Sequence, residues 1–137
     1  KDKKTNTMKN IKEDIIHQYP AIKHYPIQFI SIKNNFRVSD ILKEVIKIND
    51  KLNSKIPTPQ LNIYLKEIIN HYRPPSVKGK DVKLNYITQV SFKPHVFAIF
   101  SNYPDLITQA YKRYVENKLR EEIDFLGVPI YISFRKK

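Results

Sequence analysis

Four histidines, His17, His24, His71 and His95, are the side chains best suited to proton transfer or metal binding. None shares the H-x-x-x-H or H-E-x-x-H spacing that turns two imidazoles toward one zinc ion. The chain has no cysteine, so neither a thiolate metal site nor a disulfide can form. Glu13-Asp14 and Glu121-Glu122 are adjacent carboxylates, and neighbours on a helix point in different directions rather than at one reacting atom. Ser31 and Ser101 lack the flanking glycines of a nucleophile elbow and have no histidine near them in sequence. Phosphate chemistry fares no better. Gly79 and Gly127 are the two glycines of the chain, and they cannot make the G-x-x-x-x-G-K-[ST] loop that cradles nucleotide phosphates and Mg²⁺. The N-K-x-D base reader is missing as well. The residues therefore predict no catalytic centre, no metal and no cofactor within this chain.

What the chain does have is positive charge. Its formal net charge is +12 at pH 7, with a pI near 9.8, a balance that favours polyanions. Lysine, asparagine and isoleucine are all abundant, so part of the excess fits a compositional bias on a solvated surface. The cations also cluster. Lys78, Lys80 and Lys83 surround one proline-flanked loop. Lys112, Arg113, Lys118 and Arg120 fall on a predicted helix, and Arg135-Lys136-Lys137 form the tail. On the helix, Glu116 lies four residues from both Lys112 and Arg120, the spacing of ordinary intrahelical pairing. Each phosphate that such a surface neutralises releases condensed counterion, so binding would be salt-sensitive. Tyr111 and Tyr114 share the apolar face with Leu119 and are expected in the core rather than under a base.

The elements that must carry these residues follow from periodicity. A chain of 137 residues with 41% hydrophobic and 12% aromatic content can build one packed domain, or a small domain plus part of another. No apolar run approaches the roughly 20 residues of a membrane helix, and no signal-peptide h-region is present. The start at Lys1, without methionine, suggests a piece of a longer protein. Lys1 to Asn10 read as frayed; Ile11, Ile15, Ile16 and Tyr19 keep helical spacing up to Pro20. Pro26 to Ile32 reads as a buried strand, and Phe36 to Lys51 as a helix capped at Ser39 or Asp40. Thr58-Pro59, as an N-cap with proline at N1, opens a helix that ends before Tyr72. Strands are expected at 82–90 and 95–101, on either side of Phe92-Lys93-Pro94. From Tyr103 the steps Leu106, Ile107, Ala110, Tyr111, Tyr114, Val115, Leu119, Ile123 and Leu126 predict a long amphipathic helix. Pro104 and Asp105 suit its entry, and Thr108 is a second possible N-cap if the first turn stands apart. Gly127 would supply the left-handed residue at its C-terminus, and a strand over Pro129 to Phe134 would close the unit.

Several of these residues together resemble the C-terminal end of the Der (EngA) family, the tandem-GTPase ribosome-assembly factors. The carriers are Ile56-Pro57-Thr58 with Leu61 and Leu65, then His71 with Pro74-Pro75. Val77-Lys78-Gly79-Lys80 and Val82 to Tyr86 follow, with Thr88-Gln89-Val90 and Lys93-Pro94. The densest match is Tyr111 to Asn117 with Leu119-Arg120, completed by Gly127-Val128-Pro129-Ile130 and Phe134-Arg135. The resemblance implies an α+β fold in which residues 55–137 form a KH-like αββαβ module, a three-stranded sheet covered by helices. Residues 1–54 would be an α-β-α remnant of a P-loop GTPase domain, the second of two.

The resemblance also implies a function. It points to ribosome biogenesis, with docking on the large ribosomal subunit or its rRNA and on the adjoining GTPase domains. RNA-contacting residues are expected at Lys78, Lys80, Lys83, Lys112, Arg113, Arg120 and Arg135. Ser31, Ile32 and Lys33 would be a degenerate base-contact segment, since the family's Ser-Ala pair is Ser31-Ile32 here and Asn35 stands where glycine is usual. GTP and Mg²⁺ would belong to the parent protein. The module lacks the G-x-x-G loop of ordinary KH domains, so base readout by that route is not expected. An intramolecular scaffold without RNA contact is the competing expectation. The edge of the 27–32 strand could pair with a second copy or lie on the KH-like sheet, burying Phe29. Bacterial relatives are expected in the cytoplasm; an organelle with bacterial-type ribosomes is the alternative. No membrane partner is expected.

Overall fold

The computed structural model describes residues 2–137, with side chains from Thr7 onward. The chain divides into two compact units, residues 1–51 with 126–128, and residues 52–125 with 129–137.

In the second unit, α3 (Thr58–His71) is followed by β1 (Leu84–Phe92), β2 (His95–Ser101), α4 (Gln109–Glu122) and β3 (Ile130–Lys136). This is the α, β, β, α, β order of a KH-like α+β module. The sheet runs β1-β2-β3, with β1 antiparallel and β3 parallel to the central strand. The parallel pair needs a crossover, and α4 supplies it. The tight turn between β1 and β2 holds a cis Lys93–Pro94 peptide. Leu61, Leu65 and Ile68 of α3 and Tyr111, Val115 and Leu119 of α4 are buried, as are Ile87, Phe97 and Ile99 of the sheet. Their helical and alternating spacings set this core on one side of the sheet.

β1 is an edge strand. Asn62 of α3 blunts it: its Nδ2 donates to the Ile87 carbonyl at 2.9 Å, and the Ile87 N–H donates to its Oδ1 at 3.0 Å. A side-chain amide thus takes the place of a neighbouring strand.

Four expectations change here. The helix predicted from Leu106 to Leu126 is split. Pro104–Leu106 is a short 3-10 turn, and Thr108 is the N-cap of α4, its Oγ1 accepting from the Tyr111 N–H at 3.2 Å. α4 ends at Glu122, so Gly127, although left-handed at φ +84°, lies in the following loop and does not cap the helix. α3 has Pro57 as its N-cap; Thr58 is its first helical residue. β1 starts and ends two residues later than the pattern suggested, because Asn102 holds Asp81 and Lys83, on either side of Val82, outside the ladder.

In the first unit, α1 (Asp2–Gln18) extends well before Ile11, since nothing from Asp2 to Gln18 is a glycine or proline. Lys1 of the segment expected to fray lies outside the described residues. A 3-10 turn at Pro20–His24 follows. α2 (Val38–Leu52) begins later than predicted. Asn35 and Arg37 are left-handed (φ 48° and 57°), which keeps Phe36 and Arg37 out of the helix and leaves Ser39 and Asp40 inside its first turn. The strand expected over 26–32 is reduced to one bridge, Ser31 with Phe36. A strand needs a neighbour to pair its backbone, and this unit provides none. Phe29 is half-buried. Gly127 closes against this unit: its N–H donates to the His24 carbonyl at 2.8 Å, and a Cβ there would stand 2.8 Å from the Ile48 side chain.

Candidate nucleic-acid interface

The residues best suited to chemistry serve structure. His95 is fully buried, and its Nδ1 lies 2.7 Å from Gln89 Nε2. The same Gln89 amide accepts the Ile56 N–H through Oε1 at 2.8 Å. That fixes Nε2 as a donor, so His95 Nδ1 is the acceptor and the ring proton sits on Nε2. Phe125 packs on the imidazole at 5.2 Å. The amide and the ring join the start of α3 to the β1–β2 hairpin. Among the described residues, no three of His, Asp and Glu converge on a common point.

A second cluster ties the helices together. The Tyr111 hydroxyl donates to the Tyr72 carbonyl at 2.7 Å, and the Tyr114 hydroxyl to the Ile68 carbonyl at 2.9 Å. The Ile68 carbonyl, in the last turn of α3, also accepts the Tyr72 N–H at 3.2 Å, so Tyr114 gives it a second donor, while the Tyr72 carbonyl belongs to the C-cap residue just past the helix. Burial, with the neighbouring Tyr114 and Tyr72, pushes the Tyr111 pKa well above the usual tyrosine range. Tyr111 stays hydrogen-bonded and neutral, and, buried as it is, offers no face for a base to stack on.

The cations of the proline-flanked loop are displayed by a two-residue hairpin. Val77 and Lys80 exchange both backbone hydrogen bonds, at 3.1 and 3.0 Å. Between them Lys78 (φ 51°) and Gly79 (φ 70°) are both left-handed, the geometry of a type I′ turn. Gly79 suits that geometry and Lys78 is forced into it, so the lysine stands exposed at the tip. Lys80 Nζ sits 4.9 Å from the centre of the Tyr103 ring, and Lys83 Nζ 3.5 Å from Asp81. Asn102 fixes the base of the loop. Its Oδ1 accepts the Lys83 N–H at 2.8 Å, and its Nδ2 donates to the Asp81 carbonyl at 2.8 Å.

Beside this hairpin, between the end of α3 and the start of β1, lies an open cleft of about 580 Å³. Arg73, which stands outside the charge clusters of the sequence, lines it together with Lys83. The signal for Arg73 was its place against Pro74-Pro75, which end the helix and turn its side chain into a loop. No sequence signal marked Asn102.

The other predicted cations are elsewhere in the same unit. Lys112 Nζ lies 5.5 Å from the Phe134 ring centre, and Arg135 Nε donates to Ser133 Oγ at 3.2 Å. Arg113 is exposed. Arg120 is held by Glu116 at 3.4 Å with its side chain only 11% exposed, as the i,i+4 spacing allowed. Ser31, Ile32 and Lys33 belong to the first unit. Ser31 exchanges backbone hydrogen bonds with Phe36 at 3.1 and 2.9 Å, while Ile32 is 84% exposed in the turn between them.

Residues 55–135 match the model of the KH-domain-like family of EngA bacterial GTPase enzymes, C-terminal. The chain belongs to that KH-like family. Curated relatives extend the likeness across both units. The protein named GTPase Der from Fusobacterium nucleatum is 41% identical over 136 residues, covering 99% of this chain and 31% of its own length. Those from Halothermothrix orenii and Finegoldia magna are 39% and 38% identical with the same coverage. The chain thus spans about a third of the length of these relatives. Among the described residues no helix is long and apolar enough to cross a membrane.

Proposed function

We propose that this chain is the C-terminal part of a Der-type GTPase and that its KH-like unit docks the protein on the large ribosomal subunit through rRNA. The observation that carries the reading is the Lys78–Lys83 hairpin, a rigid, braced loop that presents lysines beside Arg73 in a chain of net charge +12. Lys112, Arg113 and Arg135 would add phosphate contacts from α4 and β3, and Arg120 fewer, being mostly covered. Ionic contacts of this kind position a protein on the nucleic-acid backbone without reading its sequence.

Residues 1–54 would be the closing part of the second GTPase domain, the KH-like domain beginning at 55. Leu42, Val45 and Ile46 of α2 are 68%, 56% and 60% exposed, an apolar face suited to an adjoining domain. GTP and Mg²⁺ would be bound by that domain and its tandem neighbour, with Ser31, Ile32 and Lys33 near the guanine base. In isolation the 27–32 segment could instead pair two copies. The protein would work where bacterial-type ribosomes are made, in a bacterial cytoplasm or an organelle.

Co-sedimentation with purified large ribosomal subunits tests the docking. The full chain should pellet with them at low salt and be released as salt rises. A chain that stays in the supernatant at low salt would overturn RNA docking and leave the KH-like unit as an internal scaffold between domains.

A further inference from the structure

The cleft between α3 and β1 has a composition that the hairpin lysines do not explain. Its floor is apolar: Val82 and Leu84 are buried and Ile69 is half-buried. Its walls carry uncharged hydrogen-bonding groups, the Asn70 and Asn85 amides and the Ser76 hydroxyl, with Arg73 and Lys83 as the cations. Among the described residues, the side chains of Asn70, Arg73, Ser76 and Asn85 make no hydrogen bond or ion pair with another protein group. Asp81, the one carboxylate in the wall, is already opposed by Lys83 at 3.5 Å.

The strand edge opens at the same place. Two residues along β1, the backbone of Ile87 is closed off by Asn62. Asn85 lies at an irregularity in the ladder, between the paired positions Leu84 and Tyr86, and has no partner residue on β2. Such a bulge re-aims a side chain at a sheet edge. Here it adds an amide to the cleft. The volume, about 580 Å³, falls within the roughly 300–1,000 Å³ of small-ligand sites.

An apolar floor, amides at its margin and cations at one end match one nucleotide. The flat base would take the floor and the amides, and the phosphate would take Arg73 and Lys83. A duplex cannot offer this, because its bases are stacked and paired; single-stranded loops and ends can. A peptide would satisfy the floor but would leave the net positive rim of Arg73, Lys78 and Lys80 without a counter-charge.

We infer that the α3–β1 cleft is a binding pocket for one unpaired RNA nucleotide, held by Asn70 and Asn85 at its base and by Arg73 at its phosphate. The inference rests on the RNA-docking reading and adds single-strand selectivity to it.

Fluorescence anisotropy of the full chain tests it, with a labelled single-stranded RNA decamer and a labelled RNA duplex of the same length as probes. The wild-type chain should bind the single strand more tightly. The double variant Asn70→Ala/Asn85→Ala should weaken single-strand binding by about tenfold, the loss of two net hydrogen bonds, and leave duplex binding unchanged. Both positions are exposed, so the fold should survive, and an unchanged thermal midpoint checks this. If Asn70→Ala/Asn85→Ala binds both probes as the wild type does, the pocket is wrong and the ionic docking stands. If the wild type binds neither probe at low salt, the docking reading falls and the pocket with it.

Discussion

The two units of this chain use the same kind of helix to different ends. α3 and α2 are both amphipathic, with apolar residues at steps of three and four. In α3 these residues close a core, with Leu61 at 0%, Leu65 at 2% and Ile68 at 1% exposure. In α2 none is buried, and Leu42, Val45 and Ile46 face outward. The difference lies in what each helix has to pack on. α3 has a paired sheet in its own unit. α2 has a bridge of two residues where a strand was expected. An amphipathic pattern records a surface that is built to be covered, and whether it is covered depends on the rest of the sheet.

Substitution breaks or sharpens that comparison most strongly in the two helices themselves. Leu61→Ala should cost about 2–5 kcal/mol in denaturant unfolding, as for buried leucines generally. Leu42→Ala in the same chain should stay within about 0.5 kcal/mol. Equal costs would mean that α2 is packed as well as α3.

A smaller loss is expected at the sheet edge. Asn62→Ala leaves the Ile87 N–H and C=O without partners and should cost about 1–3 kcal/mol. Amide exchange at Ile87 should rise with it, while Ile99 on the central strand keeps its protection. An unchanged Ile87 rate would show that the edge does not depend on the asparagine.

The smallest effect concerns pH. The Tyr111 pKa is raised in the folded chain above an unfolded value of about 10. Between those two values the unfolded state has lost the proton that the folded state keeps, so stability falls as pH rises above about 10 and is unaffected below it. Tyr111→Phe should lose about 1 kcal/mol at neutral pH with its hydrogen bond to Tyr72, and should fall less steeply above pH 10. Parallel pH profiles for the two chains would contradict the assignment.

Most of the second unit was legible because its periodicities are local and its punctuation is explicit. Pro57 and Pro59 open α3, and Pro74-Pro75 follow its end. The three-stranded sheet followed from the resemblance, but nothing in the residues of β3 marked it as parallel to its neighbour. The split of the last helix was half-legible: Thr108 is a good N-cap, but the apolar steps run straight through it from Leu106 to Tyr111. The strand over 26–32 could not be judged from sequence. Its apolar run is real, but among the described residues its backbone pairs only through the Ser31–Phe36 bridge. In the candidate interface the lysines stood out by charge. Asn62, Asn85 and Asn102 did not, since an asparagine that braces or lines a site has no pattern in one sequence.

The central claim is that the braced hairpin meets RNA phosphates, and the salt dependence of binding tests it most directly. The affinity of the full chain for a large-subunit rRNA fragment should fall linearly on a log–log plot against salt. Replacing Lys78, Lys80 and Lys83 together with alanine should flatten the slope by roughly two to three, one contact per lysine. A variant with the wild-type slope and affinity would contradict it.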